Sequence, residues 1–183
     1  MSDDANNKTK AWTLDDGRML TLRHITPEDV GIEQAFVRKL SARSRFMRFH
    51  GTIKELNKMD LAKFTNPDPL KEEALIILHK GEKDECEEQV GVARFVIDTN
   101  NQGCEFAIVV ADEWQGLGLG RKLMQVLISH ANSREIKKMH GSVLHNNVEM
   151  LQFVKGLGFE STADPDDHSA IQVNKDLGDQ SKL

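Results

Sequence analysis

Two features of this sequence could do chemistry, and one short stretch holds both. The first is the loop Gln115-Gly116-Leu117-Gly118-Leu119-Gly120, followed by Arg121. Its glycines let the backbone turn sharply and come close to a ligand. Leu119, Leu123, Val126, Leu127 and Ala131 then recur at helical spacing. A helix start points unpaired N–H groups and the positive end of its dipole into such a loop. That is an anion site, suited to a phosphate or pyrophosphate. The second feature is Glu105, which heads the apolar run Phe106 to Val110. A carboxylate in that place can serve as a general base, and it is expected to be partly desolvated by its apolar neighbours.

The elements that hold these groups follow from pattern. Glu105 to Val110 is mostly apolar and β-branched and reads as a strand leading into the loop. Alternation puts Glu105, Ala107 and Val109 on one face and Phe106, Ile108 and Val110 on the other. Upstream, Asp15-Asp16-Gly17 between apolar stretches signals a hairpin. Thr26-Pro27 with acids behind it opens a helix running to about Leu40. Ser41 to Gly51 reads as a short helix or turn with buried Phe and exposed Arg. The competing reading there is a basic, aromatic patch for an acidic partner or RNA. Lys54 to Phe64 is near-helical and is closed by Asn66-Pro67. Ala74 to His79 and Val90 to Ile97 are strands, joined by an acidic turn from Lys80 to Glu88. After the central helix come a strand over Lys137 to Leu144, a helix over Asn147 to Leu157 with Gly158 as its C-cap, and a final strand around Ile171 to Val173.

Composition narrows the function classes. The chain has 183 residues, 39% of them hydrophobic, and a formal net charge of −5. This suits one globular domain and offers no global basic field for nucleic acid. Residues 1–10 and 178–183 read as loose ends around a single domain over 11–177. The two cysteines, Cys86 and Cys104, form no CxxC pair, which fits a reducing cytoplasm without a disulfide framework. No apolar run is long enough to span a membrane. The histidines (His24, His50, His79, His130, His140, His145 and His168) are scattered without an HxxxH pair, so no metal is expected.

Three phosphate-binding patterns compete for the loop. The triphosphate pattern needs Ser or Thr after GK, whereas Gly120 is followed by Arg121, Lys122 and Leu123. The dinucleotide pattern needs GxGxxG and a later acid, and neither is present. The third, Gln/Arg-x-x-Gly-x-Gly/Ala, is met in register by Gln115, Gly118 and Gly120. With Asn147 after the next strand and Gly158-Phe159 closing the next helix, the chain resembles the GNAT superfamily of acyl-CoA-dependent N-acetyltransferases over about residues 18–177. TLRHITPEDV, the Ser41 to Phe49 segment, LAKFTNPD, CEFAIVVADEWQGLGLG and LGFESTADPDD look like the catalytic domain of bacterial Pat-type protein lysine acetyltransferases.

The resemblance implies a GNAT fold of α/β (α+β) class. That is a mixed, mostly antiparallel sheet of six to seven strands with a central splayed parallel pair and about four helices. It implies acetyl-CoA as co-substrate, with its phosphates on the backbone of Gln115, Gly116, Leu117, Gly118, Leu119, Gly120 and Arg121. Lys122 could add charge. Val109 and Val110 would pair their backbone with the pantetheine arm, and Asn147 would lie near it. It implies direct transfer of acetyl to an amine, with Glu105 as base and a protein lysine as acceptor. The alternatives are a small-molecule amine acceptor and a silent acyl-CoA-binding module. The competing readings for Glu105 are an exposed acid at a strand end and an ion pair with Arg94 on the neighbouring strand. The superfamily's frequent tyrosine acid falls at Val154, and the chain has no tyrosine. Cys104 beside Glu105 suggests an acyl-cysteine route, which direct attack by the amine makes unnecessary.

Overall fold

The computed structural model describes residues 9–81, 86–164 and 167–178. The outermost parts of both expected tails and the middle of the Lys80 to Glu88 turn lie outside the described residues, as do Pro165 and Asp166 of the polar loop before the last strand. In chain order the elements are β1 (Lys10–Thr13), β2 (Met19–His24), α1 (Val30–Lys39), α2 (Ala42–Phe49), α3 (Lys58–Thr65), β3 (Glu72–Lys80), β4 (Glu87–Ile97), β5 (Gly103–Val110), α4 (Leu119–Ser133), β6 (Lys138–Leu144), α5 (Val148–Lys155), β7 (Glu160–Ala163) and β8 (Ala170–Asp176). The sheet order is β1-β2-β3-β4-β5-β6-β8-β7. All neighbouring pairs run antiparallel except β5 and β6. Among the described residues this is the expected mixed sheet with one parallel pair, built from eight strands and five α-helices. Ser41 to Gly51 supplies the additional helix, and β7 and β8 both form beyond α5.

Local chemistry explains the element ends. Gly17 takes φ +89° in the hairpin turn, where its N–H donates to Leu14 O at 2.9 Å. The Asp29 carboxylate accepts from the Thr26 N–H at 2.8 Å and from Arg23 through two bonds of 2.7 Å, pinning the start of α1 to β2. The last turn of α5 tightens past Lys155, and Gly158 at φ +82° lets the Phe159 N–H return to Val154 O at 3.1 Å.

The buried run of β4 is covered on both sides. A Cβ on Gly91 would lie 3.2 Å from Leu123 Cδ1, so α4 sits close against this strand. On the opposite face, Gln89 donates to the buried Glu33 carboxylate at 2.5 Å, and Arg94 reaches Phe64 O at 3.1 Å. Burial raises the pKa of Glu33 and lowers that of Arg94. Among the described residues no helix is long and apolar enough to cross a membrane.

Candidate active site

The parallel pair is joined only over Gly103–Lys138, Cys104–Met139 and Glu105–His140. Beyond Glu105 the strands part, while β5 continues to Val110 and β6 to Leu144. The gap therefore opens immediately after Glu105. Ala111 N–H donates to Val90 O at 2.9 Å, which sets the alternation of β5 against β4. The Val109 backbone is therefore taken up by β4, and the β5 backbone facing the gap is that of Ile108 and Val110. The Val110 carbonyl accepts from Gln115 Nε2 at 3.0 Å, so Gln115 ties the loop to the strand end.

The glycine loop forms the head of α4. Gly116 and Gly118 take φ +76° and +78°, and a Cβ on either would meet nothing within 4 Å. The loop is glycine-rich for its backbone conformation, and the space in front of it is open. Gly118 is the N-cap of α4 and carries no side chain that could cover the amides behind it. Such a surface suits a phosphate group.

A cavity of about 520 Å³ lies in front of these amides. Val109, Val110, Gln115, Gly116, Gly118, Leu119, Gly120, Arg121 and Asn147 line it. Leu117 does not, being turned out and 40% exposed. Lys122 also turns away, with Nζ 3.9 Å from the Trp12 ring centroid. A smaller lobe of about 290 Å³ contains Glu105 and adjoins the cavity through shared walls of Met47, Arg48, Ile108, Asn147 and Met150. The expected base and the expected phosphate cradle therefore open into neighbouring compartments.

Glu105 itself is exposed, so the desolvation expected from its apolar neighbours is absent. The strand buries its Phe106 face, while Glu105 stands where the sheet has begun to open. Arg94 is not its partner. Arg94 lies opposite Ala107, and its guanidinium stacks 4.3 Å from the Phe64 ring centroid. Cys104 is fully buried, and burial pushes its thiol up to about 12, which removes the nucleophile an acyl-cysteine route would need. Asn147 accepts from the Met150 N–H at 3.2 Å and so caps α5 at the cavity wall. Val154 is buried in the core, and α5 shows the cavity Glu149, Met150 and Phe153. None of these carries a hydroxyl. His145 is exposed and bonded to Ser169 O at 2.9 Å, and Trp114 is a buried wall beneath Arg18.

Sequence reasoning missed the roof. Arg43, Ser44, Met47 and Arg48 of α2 also line the cavity. Asp112 holds α2 there. It accepts from the Ser41 N–H at 2.9 Å and from the Ser41 and Ser44 hydroxyls at 2.7 Å each. These bonds keep the Asp112 pKa low against the opposing effect of burial. The arginines of this segment do not form a basic patch. Arg45 donates to Ile53 O at 2.9 Å and also bonds Leu40 O. Arg43 pairs with Glu149 at 3.5 Å. The Arg48 Nε is enclosed without a partner, and burial brings its guanidinium down to about 10. The spaced serines of the Ser41 to Phe49 segment were the available signal, but their anchor lies far along the chain.

Comparison with known proteins agrees with this geometry. The model of the acetyltransferase (GNAT) family matches residues 43–159. An acetyltransferase of Pseudomonas aeruginosa is 34% identical over 161 residues, covering 87% of this chain and 84% of that protein. The acetyltransferase Pat of Mycolicibacterium smegmatis is 34% identical over 87 residues, which are 47% of this chain and 23% of that protein. Among solved structures, the GNAT domain of S. lividans PAT superposes with a TM-score of 0.81 at 22% identity, covering 92% of this chain and 96% of that one. The cAMP-binding acyltransferase of Mycobacterium smegmatis gives 0.62 at 20% identity over 98% of this chain and 50% of that one. The family match runs from the roof helix through the glycine loop to Gly158-Phe159, and the chain belongs to the acetyltransferase (GNAT) family, enzymes that use acetyl-CoA as co-substrate.

Proposed function

We propose that this enzyme transfers acetyl from acetyl-CoA to a lysine side chain of a protein, with Glu105 as the general base. The observation that carries this reading is the meeting of the two lobes. The larger is headed by open glycine amides, and the smaller holds an exposed carboxylate where the strands part. Acetyl-CoA supplies an acyl group activated as a thioester. The amides from Gln115 to Arg121 would hold its phosphates, and the backbone of Ile108 and Val110 would pair with its amide arm.

The acceptor arrives as an ammonium ion. A lysine with a pKa near 10.4 costs about 4.6 kcal/mol to deprotonate at pH 7. Glu105 would take that proton directly or through one water. Its exposure leaves it accessible to a side chain entering from outside. A leaving thiol with a pKa near 8.5 needs little help, so a site without tyrosine is chemically sufficient. The support for a protein acceptor is the resemblance of the roof, strand and loop motifs to Pat-type enzymes, together with the likeness to the S. lividans PAT domain.

The test compares acceptors. Release of free CoA should be fast with intact protein substrates and at background with polyamines, amino acids and aminoglycosides. The reverse pattern would assign a small-molecule acceptor. Release with none of them would leave an acyl-CoA-binding module.

The Asp112 latch supplies a separate prediction. Asp112→Ala removes the acceptor for three bonds that place the roof. Fold stability should fall by about 1 kcal/mol, the typical worth of a helix-cap interaction. The KM for acetyl-CoA should rise about tenfold, equivalent to about 1.4 kcal/mol. Steady-state kinetics and thermal melts measure both, and an unchanged KM would remove the latch from the site.

A further inference from the structure

We propose that His24, His130 and Oε1 of Glu73 form a binding site for a divalent transition-metal ion of the zinc type. The three residues come from the end of β2, the start of β3 and the last turn of α4. None of them lines either lobe of the acetyl-transfer site.

The Glu73 side chain is 1% exposed, and its two oxygens have separate partners. Oε2 pairs with the Arg134 guanidinium. Oε1 faces both imidazoles: it contacts His24 Nε2 and lies 2.8 Å from His130 Nδ1. The three donor atoms lie within 4.8 Å of one another. Tetrahedral zinc with bonds of about 2.0–2.2 Å requires donors about 3.3–3.6 Å apart, so small side-chain rotations would admit the ion. Two imidazole nitrogens and one carboxylate oxygen form a donor set that zinc accepts.

The surroundings suit a ligand role. The Glu73 carboxylate is enclosed by nitrogen groups on both oxygens, His24 and His130 at one and Arg134 at the other. Arg134 would act as the outer partner that orients a ligating carboxylate, leaving Oε1 to bind through one oxygen. The His24 and His130 side chains are 27% and 25% exposed, which gives the ion a path in and a solvent molecule as fourth ligand. Without an ion, both rings crowd the same carboxylate oxygen. A metal between the three groups would replace those two contacts. It would tie β2 and β3 to α4, the helix whose other end carries the glycine loop, so its effect would be on stability and not on turnover.

The test uses full-length protein stripped with EDTA and titrated with ZnCl2, and separately with CoCl2. One equivalent of Zn2+ should bind with a dissociation constant of about 10 μM or tighter, and the melting temperature should rise by several degrees. Co2+ should give the visible absorption of a four-coordinate site. His130→Ala and His24→Gln should each weaken binding at least about tenfold, while circular dichroism and acetyl-CoA turnover stay as in the parent protein. Two variants on different elements guard against one that fails to fold. Absence of saturable binding below about 1 mM would overturn the proposal. So would unchanged affinity in both variants, which would place the ion on other surface histidines.

Discussion

Glu105→Gln should fold, bind acetyl-CoA as tightly as the parent, and turn over about 10²–10⁴-fold more slowly, the usual worth of a positioned base. The amide keeps the size and hydrogen-bonding shape of the side chain but cannot accept the acceptor's proton. Stability should not change, because Glu105 is exposed and no core packing rests on it. Its backbone pairing with Val96 and His140 does not depend on the side chain. The pH profile sharpens the test. As pH rises from 7 to 9, more of the lysine is already neutral, so the variant should recover part of its deficit while the parent gains less. Parent-like turnover of the variant across that range would show that Glu105 is not the base.

Gly118→Val should damage cofactor binding while sparing the core. Gly118 sits at φ +78° as the N-cap of α4. A β-branched residue there is strained by at least about 1–2 kcal/mol, the cost of left-handed backbone for an L-residue. Space does not oppose the change, since nothing lies within 4 Å of an added Cβ. The loop would relieve the strain by rotating, and its amides would turn from the cavity. Losing one charge-assisted bond to a phosphate, about 1.5–3 kcal/mol, raises the dissociation constant for acetyl-CoA roughly 10- to 150-fold. Isothermal titration measures it. An affinity within about twofold of the parent would show that the loop does not hold the phosphates.

The parts of the site that were legible in the sequence are those whose requirements are local. Gly116, Gly118 and Gly158 stand where φ is positive, and that demand shows directly in residue type. Asn147 caps the helix it precedes, Thr26 and Asp29 open α1, and Gly17 turns the hairpin, all within a few residues. Strand alternation located β5, although the strand begins at Gly103, two residues before Glu105. The same alternation did not show which backbone groups of β5 face the gap, because that depends on the register with β4.

By itself the sequence determined the strand, loop and helix order and the family. These follow from backbone conformations that neighbouring residues impose on one another. Only the tertiary structure decided what the elements do across space. Asp112 anchors Ser41 from 71 positions away, and this makes α2 the roof. The sheet order brings β6 beside β5 and ends their pairing at Glu105, which leaves that carboxylate exposed instead of desolvated. Packing α4 onto β3 sets His130 against Glu73 and His24, residues 57 and 49 positions from the glutamate, a cluster no HxxxH spacing could reveal. Each of these depends on which distant segments the sheet makes neighbours. Residue spacing carries local geometry, whereas neighbourhood between remote segments exists only once the core has packed.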